Sequence, residues 1–510
     1  MHVLKVVCVE GHFRILAFGL TITSMKAAII LALSATVHAK VSVGVLRALE
    51  TNPTVDVLVN FDSLDLDTVT LPDNPKDVRK VLVEKLKVHT SSAVTKSASV
   101  VNLHDCTQHW ISSSVYCQGL NADDVDALKA LPFVKSIQTN GQIHLVKPIR
   151  TDRDLVSKVV PGSGLNQWGV ETVGAPQVWP SYTGEGIIVG SIDTGANVNH
   201  EAIQDNWRSY KGWFNPYNGT NGSAVPFDSD QHGTHTIGTM VGKYGIGVAP
   251  GAQWISCLGL YGEHGTFSAL LECAQWMVCP TNLDGTDPEC EQGAHVVNNS
   301  WGAQGDYADF FEDIITVWRT ANITPVFSNG NAGSACATTG QPGGYTRVIG
   351  VGAIGDYSNT PTELAYFSSK GPFHGVDPLT NASVTIVKPD VSAPGFFTLS
   401  ANALNTTGYM EMAGTSMAAP HVSGVVALLK SANPDLTYDD IYAYLTKTAD
   451  RSSLNTTQRP VYHFSDGTVM DGGVNCGNVS DKAWPNNRFG YGRVNVANML
   501  GSGSIIDVPL

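Results

Sequence analysis

Apolar runs of two kinds define the second half of the chain. Residues 187–192 form a continuous apolar run, which is typical of a parallel strand covered by helices on both faces. Residues 422–429 are apolar on nearly every face of a helix, which predicts a helix buried in a core. Together these patterns predict an α/β fold in which a parallel sheet is flanked by helices on both faces.

The first part of the chain has a different pattern. Residues 54–61 alternate apolar and polar positions, as a half-buried strand does, and residues 75–89 carry apolar positions at helical spacing. A strand is then predicted over residues 110–120, a short helix over 122–131 and another apolar stretch over 133–146. This alternation of strands and helices predicts a small α+β unit that ends near Lys147.

The first 39 residues have the composition of a leader. Met25-Lys26 precedes an apolar run over residues 27–37, and small residues precede position 40, so we predict a secretory signal peptide and an extracellular protein. Residues 1–24 carry an apolar run of their own, so a start at Met25 and an unusually long leader both stay open. A transmembrane anchor is the alternative, but the run is far shorter than the roughly 20 residues that a span needs.

Size and charge narrow the classes of partner. The chain has 510 residues, of which 43% are hydrophobic and 15% charged, and this is enough for a large core and more than one domain. With 31 basic and 45 acidic residues the net charge is −14. Because such a surface repels polyanions on average, we expect neither nucleic acid nor a membrane as a partner of the mature form.

Cysteines and glycosylation sequons agree with secretion. Nine cysteines become eight without the leader that carries Cys8, and an even number in a secreted chain predicts disulfides. Cys106 and Cys117 lie together in the N-terminal unit, and the remaining six allow fifteen pairings, of which only Cys279 with Cys290 is predicted. Exposed sequons predict a glycoprotein in a eukaryotic host. They begin at Asn218, Asn221, Asn322, Asn381, Asn405, Asn455 and Asn478.

Residues 414–424, Gly-Thr-Ser-Met-Ala-Ala-Pro-His-Val-Ser-Gly, place a hydroxyl nucleophile at the start of the predicted buried helix. A helix N-terminus concentrates unpaired N–H groups and partial positive charge beside Ser416, which suits an oxyanion formed when its hydroxyl attacks a carbonyl. Pro420 is expected in the opening turn, where its missing N–H is tolerated. The segment predicts acyl transfer at Ser416; the alternative is a small-residue helix start without chemistry.

Two further motifs supply partners for Ser416. Asp193 follows the apolar run at the strand end where ligands bind in open α/β sheets. His232 begins a small-residue helix, and an imidazole held by a buried carboxylate moves protons at neutral pH. His235 is predicted to be structural, and a zinc site is disfavoured because the His-Glu-x-x-His pattern is absent. The order Asp193, His232, Ser416 differs from the orders of the chymotrypsin and α/β-hydrolase classes.

These three segments, in this order, resemble the subtilisin-like serine proteases, the subtilase family, and details such as Trp254 and Trp276 are similar to the bacillopeptidase F-like branch. The resemblance implies a subtilisin-like catalytic domain over residues 156–510. It also implies an inhibitory propeptide domain of α+β structure over residues 40–155, after a leader and signal peptide over residues 1–39.

The resemblance also assigns residues around the site. Asn331 is the expected donor to the oxyanion, with Asn329 as the alternative. The substrate-binding wall is expected at Ser300, Trp301 and Gly302, with Gly340 as the open floor of the specificity pocket, although a plain core strand is the alternative for residues 295–302. Because no carboxylate lines these elements, we predict apolar or aromatic side chains rather than basic ones before the cleaved bond.

No cofactor or required metal is predicted. Residues 241–250 form a shorter loop than the one that holds a tight calcium in bacterial relatives. A structural calcium ion at Asp284, Asp287 and Glu289 is the alternative to a solvated loop.

The sequence thus predicts a secreted, monomeric serine endopeptidase that acts on proteins or peptides and is matured by removal of its own inhibitory propeptide. The alternative is a catalytically inactive binding protein with the subtilase fold. A substituted triad residue would be the sign of that alternative, and none is present.

Overall fold

A computed structural model describes residues 6–9, 12–15, 40–72, 74–145, 147–150, 164–217, 225–305, 307–333, 335–457, 459–463 and 468–501. The predicted signal peptide, residues 151–163 around the predicted domain boundary and the sequons at Asn218 and Asn221 lie outside the described residues. In the predicted leader, β1 (Val6–Val9) and β2 (His12–Ile15) pair as an antiparallel hairpin.

The α+β unit predicted at the N-terminus is present. Its elements are α1 (Val43–Thr51), β3 (Val55–Phe61), α2 (Pro75–Ser97), β4 (Thr107–His109), β5 (Ser114–Leu120), α3 (Ala122–Lys129) and β6 (Val134–Thr139). The strands form an antiparallel sheet in the order β4-β5-β3-β6. The predicted end of α2 at His89 is wrong: the helix continues to Ser97 because Thr90, Ala93 and Ser97 are buried.

The apolar stretch over residues 133–146 was predicted as one element, but it is two strands in different sheets. The chain turns at Asn140-Gly141, after which β7 (Gln142–Leu145) and β8 (Ile149–Arg150) pair with the C-terminal part of the protein. A pattern along the chain cannot distinguish these partners, since each strand buries two apolar side chains, Val134 and Ile137 in β6 and Ile143 and Leu145 in β7.

The remaining elements follow in chain order. They are α4 (Trp168–Thr172), α5 (Ala175–Val178), β9 (Ile188–Asp193), β10 (Trp213–Phe214), α6 (His232–Val241), β11 (Gln253–Leu258), β12 (His264–Thr266), α7 (Phe267–Val278), β13 (Val296–Asn299), β14 (Trp301–Gly302), α8 (Glu312–Thr320), β15 (Thr324–Ser328), β16 (Ile349–Ile354), β17 (Phe373–Asp377), β18 (Ala382–Ile386), β19 (Val391–Pro394), β20 (Thr398–Ala401), β21 (Tyr409–Ala413), α9 (Thr415–Ala432), α10 (Tyr438–Lys447), β22 (Val461–His463) and β23 (Val469–Asp471).

A seven-stranded parallel sheet organises this part, in the order β10-β11-β9-β13-β15-β16-β19. Helices α6, α9 and α10 pack with Val189 in one core, and helices α7 and α8 pack with Ile188 and Ile192 in another. Because successive side chains of a strand point to opposite faces, these two cores cover the two faces of the sheet. The predicted α/β class, with helices on both faces, is confirmed.

Disulfides connect both parts internally. The predicted pair Cys279–Cys290 is present, as is Cys106–Cys117 in the N-terminal unit. The pairs that the sequence left open are Cys257–Cys273 and Cys336–Cys476. In the part of the chain that the structure describes, none of the helices has the length and hydrophobicity of a membrane span.

The long-range disulfide is expected to stabilise the fold most. Cys336–Cys476 closes a segment of 140 residues, for which loop entropy gives about 5 kcal/mol, whereas Cys279–Cys290 closes 11 residues, for which it gives about 3 kcal/mol. We expect the double alanine variant of Cys336 and Cys476 to lower the urea midpoint more than the double alanine variant of Cys279 and Cys290. Unfolding would be measured in a Ser416→Ala background, and the reverse ranking would contradict the prediction.

Candidate active site

Asp193 and His232 meet at the carboxyl end of the parallel sheet. Asp193 is the last residue of β9 and His232 the first of α6, and both are fully buried. Nδ1 of His232 lies 2.7 Å from Oδ1 of Asp193, while Nε2 of His232 has no hydrogen-bond partner among the described residues. The backbone N–H of Thr194 and the hydroxyl of Thr236 donate to the same carboxylate. This arrangement orients the imidazole and leaves its second nitrogen available.

Asp228 holds the start of the helix that carries His232, and the sequence analysis missed it. Its carboxylate accepts hydrogen bonds from the backbone N–H groups of Asp230, Gln231 and Thr234 and from the hydroxyl of Thr194. Burial raises the pKa of Asp228, although the hydrogen bonds from Thr234, Asp230 and Thr194 lower it. An aspartate a few residues before a helix-initiating histidine is a capping signal that was available in the sequence.

His235 is structural, as predicted. Its Nε2 lies 3.1 Å from the carbonyl oxygen of Thr398 and 3.2 Å from that of Met410. Burial, together with the neighbouring His232, lowers the pKa of His235 to about 3. The residue therefore stays neutral and adds no positive charge beside His232.

Ser416 is the second residue of α9 and is fully buried. Its hydroxyl donates to the carbonyl oxygen of Ser300 at 3.2 Å. The expected place of Pro420 in the opening turn is wrong, because Pro420 is the sixth residue of α9 and so cannot donate to the carbonyl of Ser416. The hydroxyl of Ser300 donates to that carbonyl instead, at 2.9 Å. Ser300 thus completes the helix turn that holds Ser416.

Asn331 lies beside the N-terminus of α9, whereas Asn329 does not. The backbone N–H and the hydroxyl of Thr415 both donate to Oδ1 of Asn331 at 2.8 Å, and this turns Nδ2 toward the carbonyl oxygen of Lys147 at 3.4 Å. Nδ2 of the buried Asn329 donates to the carbonyl of Ser369 at 2.7 Å. A Cβ on Gly414 would lie 3.0 Å from Nδ2 of Asn331, so glycine leaves room for that amide.

An extended segment of the N-terminal unit fills a cleft at this site. Strand β7 lies between β12 and β14 and is antiparallel to both. Strand β8 continues on the other side of Ser416 and pairs with the end of β21. Ion pairs of Lys147 with Glu263, at 2.7 Å, and of Arg150 with Asp230 flank the segment. The cleft therefore holds an extended backbone on both sides of the serine.

The predicted substrate-binding residues separate into two groups. Gly302 and Gly340 line a pocket next to Asn331. The side chain of Trp301 lies in the core instead, where its Nε1 donates to the carbonyl of Ile192 and its ring contacts Phe311 and Phe327. Trp301 faces the cleft only through its backbone, which pairs with Leu145 as Gly302 pairs with His144, and Ser300 serves mainly the α9 turn.

The acidic loop that was considered for calcium binds a lysine. The Nζ of Lys211 lies 2.8 Å from Oδ2 of Asp287 and 3.2 Å from Oε1 of Glu289, while Asp284 accepts from Thr286. Across the described ranges, no group of three or more histidine, cysteine or acidic side chains is arranged around a possible metal position.

Comparison with known proteins identifies the family. Residues 184–492 match the subtilase family, which covers more than half of the chain and includes Asp193, His232, Asn331 and Ser416. The chain belongs to the subtilase family, as the resemblance of its motifs predicted.

Individual relatives agree with this assignment. The chain is 34% identical to bacillopeptidase F of Bacillus subtilis (strain 168) over 385 residues, which are 71% of this chain but only 24% of that protein. It is 28% identical to alkaline elastase YaB of Bacillus sp. (strain YaB) over 66% of this chain and 75% of that protein. The crystal structure of fervidolysin from Fervidobacterium pennivorans, a keratinolytic enzyme related to subtilisin, matches with a TM-score of 0.58. That match has 22% identity and covers 87% of this chain and 60% of fervidolysin, so it supports the fold.

The two asparagines make the oxyanion assignment testable. We expect Asn331→Leu, which has a similar shape but no N–H, to lower kcat for a chromogenic peptide about 10²–10³-fold with little change in KM, because an oxyanion donor acts on the transition state. Asn329→Leu should instead lower the thermal stability of the protein, because the bond to Ser369 is lost. Equal losses of kcat in two equally stable variants would contradict the assignment.

Proposed function

We propose that this protein is a serine endopeptidase. In the proposed mechanism the hydroxyl of Ser416 attacks the peptide carbonyl, His232 accepts that proton and returns it to the leaving amine, and Asp193 keeps the imidazole oriented. The amide of Asn331 and the backbone N–H of Ser416 stabilise the negative charge on the carbonyl oxygen. A water molecule then attacks the acyl-enzyme, with His232 again accepting the proton and returning it to the oxygen of Ser416.

One observation carries this proposal. His232 is held by Asp193 at 2.7 Å, has an unpaired Nε2, and starts a helix that packs against the helix carrying Ser416. A buried nitrogen without a hydrogen-bond partner costs folding free energy, so a purely structural role does not explain it. A general base does explain it, because its nitrogen must be free to accept a proton when the substrate is bound. The 3.2 Å bond of the Ser416 hydroxyl to Ser300 is weak enough to be exchanged for a bond to His232.

The competing function is a binding protein that has the fold without the activity. A fluorophosphonate reacts only with an activated serine, so we expect the processed protein to become labelled at Ser416 and the His232→Ala variant to label far more slowly. Heat-denatured protein is the control for nonspecific reaction. Failure of the native, processed protein to be labelled at Ser416 would favour the binding protein.

We also propose that residues 40–155 are an inhibitory propeptide. Occupation of the cleft by β7 and β8 supports this, since it excludes any other extended peptide. A second contact lies away from the cleft: Nε of Arg79 donates to the carbonyl of Ala321 at 2.9 Å, and an Arg79 Nη donates to that of Ala294 at 2.7 Å. Ala321 is the C-cap residue that follows α8, and a cation is favoured there by the helix dipole.

The substrates would be proteins or peptides bound in extended form, and the enzyme would act as an extracellular, glycosylated monomer. The disulfides support an oxidising location. Most polar contacts of the cleft are with backbone, and this suits substrates of varied sequence.

Removal of the propeptide should occur in cis. The bond that follows Lys147 joins it to Pro148, which has no backbone N–H to donate and whose ring restricts the chain, so we expect cleavage further on, in the polar linker over residues 150–163. The linker is tethered to the site at high effective concentration, so one turnover suffices.

The Ser416→Ala variant should therefore accumulate as the uncut precursor, whereas the wild type is processed. Both would be expressed in a host without related secreted proteases and compared by mass and N-terminal sequence. If both are processed equally, another protease matures this one; an N-terminus outside residues 150–166 would move the domain boundary.

A further inference from the structure

The pocket next to Asn331 has a polar end, although the sequence analysis predicted only an open floor at Gly340. Its walls in the subtilase part are mostly small, with Gly302, Ala303, Gly330, Ala332 and Gly340 among the lining residues. Such walls leave a slot between two stretches of backbone, which suits a flat or long side chain. Besides Asn331, three polar side chains of this part line the slot, those of Gln304, Ser328 and Gln341. Oε1 of Gln341 already accepts from the backbone N–H of Ala308 at 2.9 Å, whereas Gln304 and Ser328 add hydrogen-bonding groups to the slot.

The carboxamide of Gln304 lies where the open floor was expected. Its Nε2 is 3.0 Å from the position that a Cβ on Gly340 would occupy, and 3.0 Å from the corresponding position on Gly330. The amide therefore lies over both glycines and takes the space that their missing side chains leave. Gln304 is itself exposed, so in the free enzyme its amide is hydrated.

Ser328 supplies a second polar group at the end of β15. Its side chain is only 4% exposed, and its hydroxyl has no hydrogen-bond partner among the described residues. A buried hydroxyl without a partner costs free energy, and that cost is recovered if a ligand supplies the missing bond. The hydroxyl and the amide can each donate or accept.

No described side chain of the subtilase part that lines this pocket carries a charge. The charged or titratable groups that face it, Lys147 and His144, belong to the segment that a substrate would replace. A long basic side chain would therefore find no carboxylate among these residues, and an acidic one no cation.

We propose that Gln304 determines specificity at the residue before the cleaved bond and that, with Ser328, it favours uncharged side chains that end in a hydrogen-bonding group. Tyrosine is preferred to phenylalanine, and glutamine to methionine. The inference rests on the proposed endopeptidase function and refines the expected preference for aromatic side chains. The physical reason is that phenylalanine would displace water from the amide and give no hydrogen bond in return.

The size of the effect follows from the value of a neutral hydrogen bond. We expect kcat/KM to be about 3- to 10-fold higher for a tyrosine peptide than for the same peptide with phenylalanine. The two substrates differ by one hydroxyl, so shape and most apolar contacts cancel in the ratio. Glutamine and methionine form a second pair of similar length.

The test measures both ratios with processed enzyme obtained from the full-length chain. Gln304→Leu keeps the size of the side chain but removes its amide, so both ratios should fall toward one while the phenylalanine peptide is still cleaved. Ser328→Ala should lower the ratios in part. Gln204→Leu, an exposed glutamine in a surface turn, is the control and should leave both ratios unchanged.

A gain of function completes the test. Gln304→Glu places a carboxylate at the end of the pocket, so cleavage after lysine should rise at least about tenfold relative to methionine, because charge-assisted bonds are stronger. A wild-type tyrosine-to-phenylalanine ratio of one or less, or a ratio that Gln304→Leu does not change, would overturn the inference while leaving the endopeptidase function intact. Wild-type protein that neither cleaves a peptide nor reacts with a fluorophosphonate would overturn both.

Discussion

The burial of α9 is the constraint on which the site depends. All residues from Thr415 to Lys430 are buried, so a polar group that finds no partner within this helix needs one from another element. Ser300 supplies one for the Ser416 carbonyl, and Asn298 accepts from the Ser423 hydroxyl. Both partners lie at the carboxyl end of the central sheet. The hydrogen bonds that satisfy the helix therefore also fix the serine relative to the strand that lines the cleft.

In this cleft, different groups hold the peptide backbone and select its side chains. Strands β12 and β14 offer backbone groups to an extended chain, and these bonds form with almost any residue, as the pairing of β7 illustrates. Selectivity must then come from side chains, and Gln304 and Ser328 are polar side chains that line the pocket beside Asn331. The same division explains why a segment of the chain itself can fill the cleft, since the bonds that hold it do not depend on its sequence.

Much of the fold and of the site could be predicted from the sequence. The apolar run before Asp193, the small-residue helix begun by His232 and the apolar helix after Ser416 each carry a strong local pattern, and their order along the chain distinguishes this family. Within the α+β unit, β3 and α3 were predicted with nearly correct boundaries, whereas α1 and β4 were not predicted. Helix α2 extends beyond its predicted end, because one face of its last two turns is buried although their pattern is mostly polar. Local patterns are enough to predict a helix or strand where buried positions recur with the period of that element.

Tertiary structure decided the features that join distant segments. Asn331 rather than Asn329 faces the cleft because Thr415, more than eighty positions later, orients its amide. The partner of Cys336 is 140 residues away, and β7 leaves its neighbours to join strands of another sheet. Gln304 has no signal in the sequence, since only the approach of Gly330 and Gly340 makes it part of a pocket. The sequence alone identified the residues that we propose to carry the chemistry; their partners were decided by long-range packing, which no local periodicity records.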